Sequence, residues 1–176
     1  MKSYFGLIVL FILPVLISCG QSSDPKQNSM SDAEIQESLI KINQDMNKRE
    51  SSQIDLYVKK EKLHVIKTGT GLRYEIYEKG IGKQAIPGMS AKLKFSVSLL
   101  DGTLCYSSDS SGLESFIIDH DQVESGLHEG IKLLHEGDKA KFILPSHLAH
   151  GLIGDKDKIP RRSPIVYDIE LIQLTQ

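Results

Sequence analysis

The chain of 176 residues is long enough for one domain of about 110 residues with additional segments. Its 21 basic and 23 acidic side chains give a formal net charge of −2, and the basic residues are scattered along the sequence. Because nucleic-acid binding requires a clustered basic surface, this composition argues against a nucleic-acid partner.

An export signal is indicated at the start of the chain. Residues 6–17 form an apolar run that is too short to span a bilayer as a helix, and Lys2 is the only charge before it. Leu16-Ile17-Ser18-Cys19 follows this run and resembles a bacterial lipobox. We therefore expect residues 1–18 to be a lipoprotein signal peptide and Cys19 to be diacylated, with an ordinary signal peptide as the alternative. The expected localisation is the bacterial cell envelope, as a membrane-anchored lipoprotein that faces the periplasm or the cell surface.

A polar tether and a helical segment are predicted next. Residues 19–30 are polar and rich in Ser, Gln and Asn, which is typical of a flexible tether. Ser31 and Glu34 have the spacing of a capping box, and apolar residues then recur at helical intervals. Within an N-terminal helical segment of residues 31–62, we predict one bent helix or two consecutive helices. The apolar stripe of this segment either packs on its own domain, or it mediates a homodimer through residues 31–60 or contacts a partner helix.

From Leu63 onward the periodicity is that of strands, and it predicts one α+β domain over residues 63–176. Asp101-Gly102 predicts a tight hairpin turn, and residues 107–112 have the composition of a loop. A helix of about three turns is predicted at 124–134 from its apolar spacing. The remaining pattern predicts strands at 72–77, 91–100, 103–106, 116–118, 139–145 and 165–174.

The order of the motifs in this domain is more specific than any one motif. The set comprises Gly69–Tyr74, Leu99–Thr103, Ser146–Gly151, Ile159-Pro160 and Tyr167–Leu171. Together they resemble the FKBP-type peptidyl-prolyl cis-trans isomerase family, over about residues 69–174. The resemblance implies an FKBP-like curved antiparallel sheet wrapped on one short central helix, preceded by the N-terminal helical segment. It also implies an enzyme that requires neither a metal nor another cofactor.

The chemistry of such an enzyme sets simple demands on its site. Rotation about a peptide bond faces a barrier of ~18–20 kcal/mol. In the transition state the amide is twisted and less polar than the planar ground state. A dry apolar slot for the proline ring, with one or two donors for the flanking carbonyls, therefore lowers the barrier without a nucleophile.

The resemblance assigns the slot to eight positions of this chain. Phe95 stands where the family usually has tyrosine, so the ring is kept and the hydroxyl is lost. Leu127 stands where many members have a tryptophan floor, and Tyr167 keeps an aromatic wall. The full set of candidate site residues is Phe95, Tyr106, Val123, Glu124, Leu127, His150, Ile159 and Tyr167.

Three departures from the family pattern bear on activity. Cys105-Tyr106 replaces the common Phe-Asp pair, and a shift of one place in a strand moves a side chain to the other face. Glu124 occupies a usually aliphatic position whose backbone amide is implied to bind ligand, and we expect its charged side chain to point outward. His150 replaces a loop tyrosine that donates to the substrate carbonyl, and it is either a substitute donor or a rim residue without a role. His147 and His150 form a His-x-x-His pair, but without a third ligand we predict no metal site.

Two classes of function follow from these features. The first is a lipid-anchored prolyl isomerase that acts on Xaa-Pro bonds of exported proteins, with proline-containing polypeptides as partners. The second is an FKBP-like binding module or chaperone for proline-containing or unfolded segments, with weak activity or none. A lipobox combined with this domain also resembles the FKBP-type lipoproteins that are associated with gliding motility in some bacteria.

Overall fold

The computed structural model describes residues 31–176, so the predicted signal peptide, the tether and Cys19 lie outside the described residues. A long helix is followed by seven strands, two short α-helices and one 3₁₀ turn (Ser146–Leu148). The helices are α1 (Asp32–Glu61), α2 (Ser108–Ser111) and α3 (Ser125–Ile131). The strands are β1 (Ile66–Lys67), β2 (Arg73–Glu78), β3 (Ser90–Leu99), β4 (Leu104–Ser107), β5 (Glu114–Ile117), β6 (Lys139–Leu144) and β7 (Ile165–Thr175).

All seven strands form one antiparallel sheet, which confirms the predicted fold class. The order is β1-β2-β6-β7-β3-β4, and β5 pairs with the other part of β3. The two longest strands, β3 and β7, pair along their whole length in the middle of the sheet. Their alternating apolar residues face α3, and the main core fills the space between this helix and the sheet.

Helix α3 lies very close to strand β6 because two glycines face it. A Cβ atom built on Gly130 would meet ring atoms of Phe142 at 2.5–2.9 Å, and one on Gly126 would meet Leu144 at 2.6 Å. The helix is shorter than the predicted span of 124–134. Its last turn tightens, because the amides of Leu133 and Leu134 bond to carbonyls three residues earlier, so the α-helix ends at Ile131.

Two further boundaries differ from the sequence prediction. The predicted loop at 107–112 contains the helical turn α2, whose Ser107 side chain accepts from the Asp109 amide. The two-residue strand β1 was not predicted, because its residues are exposed and show no alternation.

The N-terminal segment is one continuous helix rather than two. Ser31 and Glu34 form the predicted capping box at its start. Its second half docks on the outer face of the sheet, where fully buried Ile54 packs against Ile143 and Val166. The first half is more exposed, and its apolar residues include Ile35, Leu39, Ile42 and Met46. Over residues 31–176, no helix is both long enough and apolar enough to cross a bilayer.

We predict that the contact between α3 and β6 tolerates no added methyl group. Gly130→Ala should lower the free energy of unfolding by about 1–3 kcal/mol, because the new Cβ overlaps the Phe142 ring. Replacement of glycine by alanine in a helix otherwise raises the free energy of unfolding by about 1 kcal/mol, so the overlap has to outweigh this gain. Urea unfolding measures the difference. Gly69→Ala is the matched control, since a Cβ there meets nothing within 4 Å and should leave stability nearly unchanged. Equal stability of Gly130→Ala and the wild type would contradict the packing described.

Candidate active site

A cavity of about 810 Å³ opens between the sheet, the start of α3 and the long loop that joins β6 to β7. The eight residues assigned from the sequence all line it, so the structure brings together positions up to 72 residues apart in the chain. Their individual roles remain predictions. The lining residues from that set are Phe95, Tyr106, Val123, Glu124, Leu127, His150, Ile159 and Tyr167.

The apolar walls come from three separate parts of the chain. Phe95 on β3 and Tyr167 on β7 have ring centroids 6.2 Å apart, with planes inclined at 49°. Val123 and Leu127 approach from the start of α3, and Leu127 is almost fully buried. Ile159 closes the hollow from the loop between β6 and β7. The result is a hollow with aromatic and aliphatic sides, of the size that holds a small ring.

The Glu124 side chain points into the cavity, which corrects the expectation that it points outward. Its carboxylate accepts a hydrogen bond from the Tyr167 hydroxyl at 3.1 Å and lies 2.9 Å from His150 Nε2. Only 14% of the side chain is exposed. A carboxylate so enclosed needs partners, and these two groups supply them. Two of the three departures from the family pattern, Glu124 and His150, therefore form one polar group with Tyr167.

Tyr106 also faces the cavity, although the pattern suggested that its ring had moved to the other side of the strand. Val97 pairs with Tyr106 and Ser98 pairs with Leu104, so Cys105 is an extra residue on β4. Because of this β-bulge, the Tyr106 side chain lies on the cavity face of the strand. The Cys105 side chain is buried in the main core.

The family pattern has an aspartate at the position of Tyr106. In this chain a residue of the β6–β7 loop, Asp155, supplies a carboxylate at this place. The Tyr106 hydroxyl donates to Asp155, and Asp155 also accepts from the backbone amides of Asp157 at 2.9 Å and Ile159 at 2.8 Å. Burial alone would raise the pKa of Asp155, but these hydrogen bonds lower it to about 2. The hydrogen bond to Asp155 raises the pKa of Tyr106 to about 12. Asp155 thus holds Ile159 in the wall of the cavity.

A second glutamate adds to the negative charge of the cavity. Glu114, on β5, lines the same space, and its pKa is raised by burial and then by the charge of Glu124. Burial and the Glu124 carboxylate likewise raise the pKa of Tyr167, so its hydroxyl stays protonated and remains a donor. Opposite Asp155, the Lys158 ammonium lies 4.8 Å above the Tyr106 ring.

Sequence reasoning missed half of the lining. Asp155 was the residue most open to prediction, since a loop carboxylate is the natural partner for a tyrosine that replaces an aspartate. The others carry no separate signal, because they belong to strand alternation or to loops. The missed residues are Val97, Ser111, Gly112, Leu113, Glu114, Gln122, Ala149 and Asp155.

The arrangement is suited to binding rather than to nucleophilic attack. Its aromatic and aliphatic residues form an apolar wall, and its two tyrosine hydroxyl groups are held by carboxylates. The backbone amide of Glu124 has no hydrogen-bond acceptor within the described part of the chain, so it is free to donate to a carbonyl in the cavity. Among residues 31–176, no three His, Cys, Asp or Glu side chains are grouped to hold a metal ion.

An antiparallel sheet around a short helix, with an apolar hollow at its edge, is the architecture of FKBP-type domains. The family described as FKBP-type peptidyl-prolyl cis-trans isomerase matches residues 82–172, which is more than half of the chain. The chain belongs to this family of enzymes.

Individual relatives agree with this assignment. A probable FKBP-type peptidyl-prolyl cis-trans isomerase FkpA from Neisseria meningitidis is 31% identical over 164 residues, which cover 86% of this chain and 60% of the relative. A macrophage infectivity potentiator from Trypanosoma cruzi is 32% identical over 111 residues, covering 62% of this chain and 56% of the relative. The crystal structure of FkpA from Escherichia coli superimposes with a TM-score of 0.65 at 28% identity, covering 84% of this chain and 74% of that one. The chain spans about 60% of the length of the curated relatives that it matches.

We predict that Tyr106→Phe raises the pKa of the Asp155 carboxyl from about 2 towards its ordinary value of 3.8, because one hydrogen bond to the ionised form is lost. A carboxyl with a lowered pKa stabilises the fold above its unfolded-state pKa, and this contribution disappears as the pH falls through the folded-state value. Acid unfolding of the variant should therefore begin at higher pH. Carboxyl NMR titration measures the shift, and Tyr77→Phe, whose hydroxyl bonds to Asp168, is the control. An unchanged Asp155 pKa in Tyr106→Phe would contradict the assignment.

Proposed function

We propose that this chain is a peptidyl-prolyl cis-trans isomerase that acts on Xaa-Pro bonds of exported proteins. The supporting observation is the common cavity of Phe95, Val123, Ile159 and Tyr167, which come from β3, the start of α3, the β6–β7 loop and β7. Membership of the isomerase family supports the same reaction.

The cavity favours the twisted amide over the planar one. The proline ring enters the cavity that Phe95 and Tyr167 line, and a planar amide bound there loses the water that solvates its polar carbonyl. The twisted amide has lost resonance and is less polar, so exclusion of water costs it less. The free amide of Glu124 donates to a flanking carbonyl and holds the chain while the bond rotates.

Glu124, His150 and Tyr167 hold the polar side of the cavity in one geometry. The Glu124 carboxylate accepts from the Tyr167 hydroxyl and lies 2.9 Å from His150 Nε2, so the hydroxyl and the imidazole are already oriented before substrate arrives. Groups that need no rearrangement during the reaction stabilise a transition state most effectively. In this proposal His150 shapes the site and positions Glu124.

A second candidate function is a binding module with little turnover. The observation that favours it is the position of His150 Nε2, 2.9 Å from the Glu124 carboxylate, because this nitrogen faces a charged group instead of the space that a substrate carbonyl would occupy. Leu127 also leaves a smaller floor than the tryptophan that the family pattern would place there. The walls of the cavity bind proline in both cases.

One assay separates these functions. We expect the protein to accelerate cis-trans exchange of an apolar Xaa-Pro peptide, followed by NMR exchange spectroscopy, and Phe95→Ala and Tyr167→Ala to lower kcat/KM by about tenfold or more. Tyr77→Ala is the control, because this half-exposed tyrosine on β2 lies outside the cavity and should keep the wild-type rate. Full rates in both cavity variants would show that the pocket is misplaced. Peptide binding with an exchange rate equal to that in buffer would exclude the enzyme and support the binding module.

We also propose that the protein is anchored to a membrane of the cell envelope through lipid on Cys19. The apolar run at 6–17 and the tetrapeptide Leu16–Cys19 support this. Two or three acyl chains give stable attachment, at about 0.8 kcal/mol for each buried CH₂. Cys19→Ser should abolish incorporation of labelled palmitate and move the protein from the membrane fraction to the soluble fraction. Cys105→Ser is the matched control. Label retained in Cys19→Ser would contradict the anchor.

Self-association through α1 is a further proposal. The first half of the helix presents Ile35, Leu39 and Ile42 with exposures of 43–54%, and a second copy of the helix would cover them. A monomeric mass by sedimentation at micromolar concentration would contradict this partner.

A further inference from the structure

The loop of residues 145–164 brings four cavity residues into place, yet it contains little regular structure. These residues are Ala149, His150, Asp155 and Ile159. Loops of this length need fixed points if their side chains are to keep one position. The structure shows two such points, and both involve helix α1.

The first fixed point joins Glu50 of α1 to Ser146 at the start of the loop. The Ser146 backbone amide donates to Glu50 Oε1 at 2.6 Å, and the Ser146 hydroxyl donates to Glu50 Oε2 at 2.6 Å. Ser146 is only 7% exposed. One carboxylate therefore satisfies two donors of a nearly buried residue, and hydrogen bonds to a charged acceptor are stronger than neutral ones.

Ser146 in turn holds the backbone on both sides of His150. Its carbonyl accepts from the Ala149 amide at 3.1 Å and from the Gly151 amide at 2.7 Å. A shift of Ser146 therefore moves the peptide units that carry the His150 imidazole, and with it the partner of Glu124. Two consecutive sets of hydrogen bonds connect Glu50 to the cavity.

The second fixed point closes the loop on the same helix. The Gly151 carbonyl accepts from the Arg162 amide at 2.9 Å. The Arg162 guanidinium reaches Asn43 Oδ1 at 3.2 Å and also contacts Met46 of α1.

Helix α1 is itself firmly held, so it can act as a support. Fully buried Ile54 packs against the sheet, and the guanidinium of Arg73, only 2% exposed, donates to Asp55 and Ser51. Asp55 contributes to the docking of the helix without a hydrogen bond to the loop.

We propose that Glu50 is a positioning residue for the isomerase site, acting through Ser146 on the loop that carries His150. The inference rests on the proposed isomerase function. It assigns to the N-terminal helix, which lies outside the family match at 82–172, a part in shaping the cavity.

The test compares Glu50→Gln with Asp55→Asn in the full chain. Both changes replace a carboxylate of α1 by an amide, but only the first removes an acceptor from Ser146, because an amide nitrogen cannot accept. We expect Glu50→Gln to lower kcat/KM on the order of tenfold, since a displacement of 1 Å can cost up to about 100-fold. Hydrogen exchange at the Ala149 and Gly151 amides should accelerate in Glu50→Gln and much less in Asp55→Asn, which loosens the docking of the helix but leaves the acceptors of Ser146 in place.

A second variant approaches the contact from the loop side. Ser146→Ala removes only the hydroxyl donor, and it leaves the helix untouched if Glu50→Gln proves too unstable to study. The effects of Ser146→Ala and Glu50→Gln on kcat/KM should be less than additive in the double variant, because both act through one contact.

The outcomes separate this inference from the proposed function. If Glu50→Gln keeps the wild-type hydrogen exchange at the Ala149 and Gly151 amides and the wild-type kcat/KM, the positioning role is overturned. Equal losses in Glu50→Gln and Asp55→Asn would also overturn it, because they would show only a loosened helix. If the wild type does not accelerate exchange of Xaa-Pro bonds, the proposed isomerase function fails, and with it the role of Glu50 in catalysis. The amide exchange at Ala149 and Gly151 would then still decide whether Glu50 holds the loop.

Discussion

The close approach of α3 to strand β6 is the constraint on which the site depends. Gly130 lies against the Phe142 ring, and Gly126 lies against Leu144 and the Leu148 carbonyl. Larger residues at these positions would lift the helix from the sheet and displace Val123, Glu124 and Leu127 from the aromatic residues opposite. The apolar hollow lies beside the start of this closely packed helix, between it, the sheet and the β6–β7 loop.

Two carboxylates in this hollow are held by polar partners. Glu124 is partnered by His150 and Tyr167, and Asp155 is partnered by Tyr106. Each carboxylate would be costly to enclose alone, and each partner would be an unsatisfied donor without it. A reversion of Glu124 to an aliphatic residue would leave the Tyr167 hydroxyl without its acceptor, whereas loss of the Tyr106 hydroxyl would leave Asp155 with its two backbone donors.

Strand and helix periodicity predicted the sheet, the position of α3 and the capping box of α1, because these features depend on neighbours in the sequence. The ordered motifs likewise predicted the eight residues that share the cavity. Side-chain direction at Glu124 and Tyr106 could not be predicted in this way. The first depends on His150 and Tyr167, which are distant in sequence, and the second on a bulge that no local pattern around Cys105 indicates.

The role of α1 was the least accessible to prediction. Its apolar stripe indicated a buried face but not which surface it covers, and nothing in the sequence near Glu50 distinguishes it from the other glutamates of the helix. Its partner Ser146 lies 96 residues away. A helix outside the matched domain thus binds the loop that completes the cavity, at Ser146 and again at Arg162. Any force or partner that moves α1 on the sheet would consequently act on His150 through these contacts, without touching the substrate.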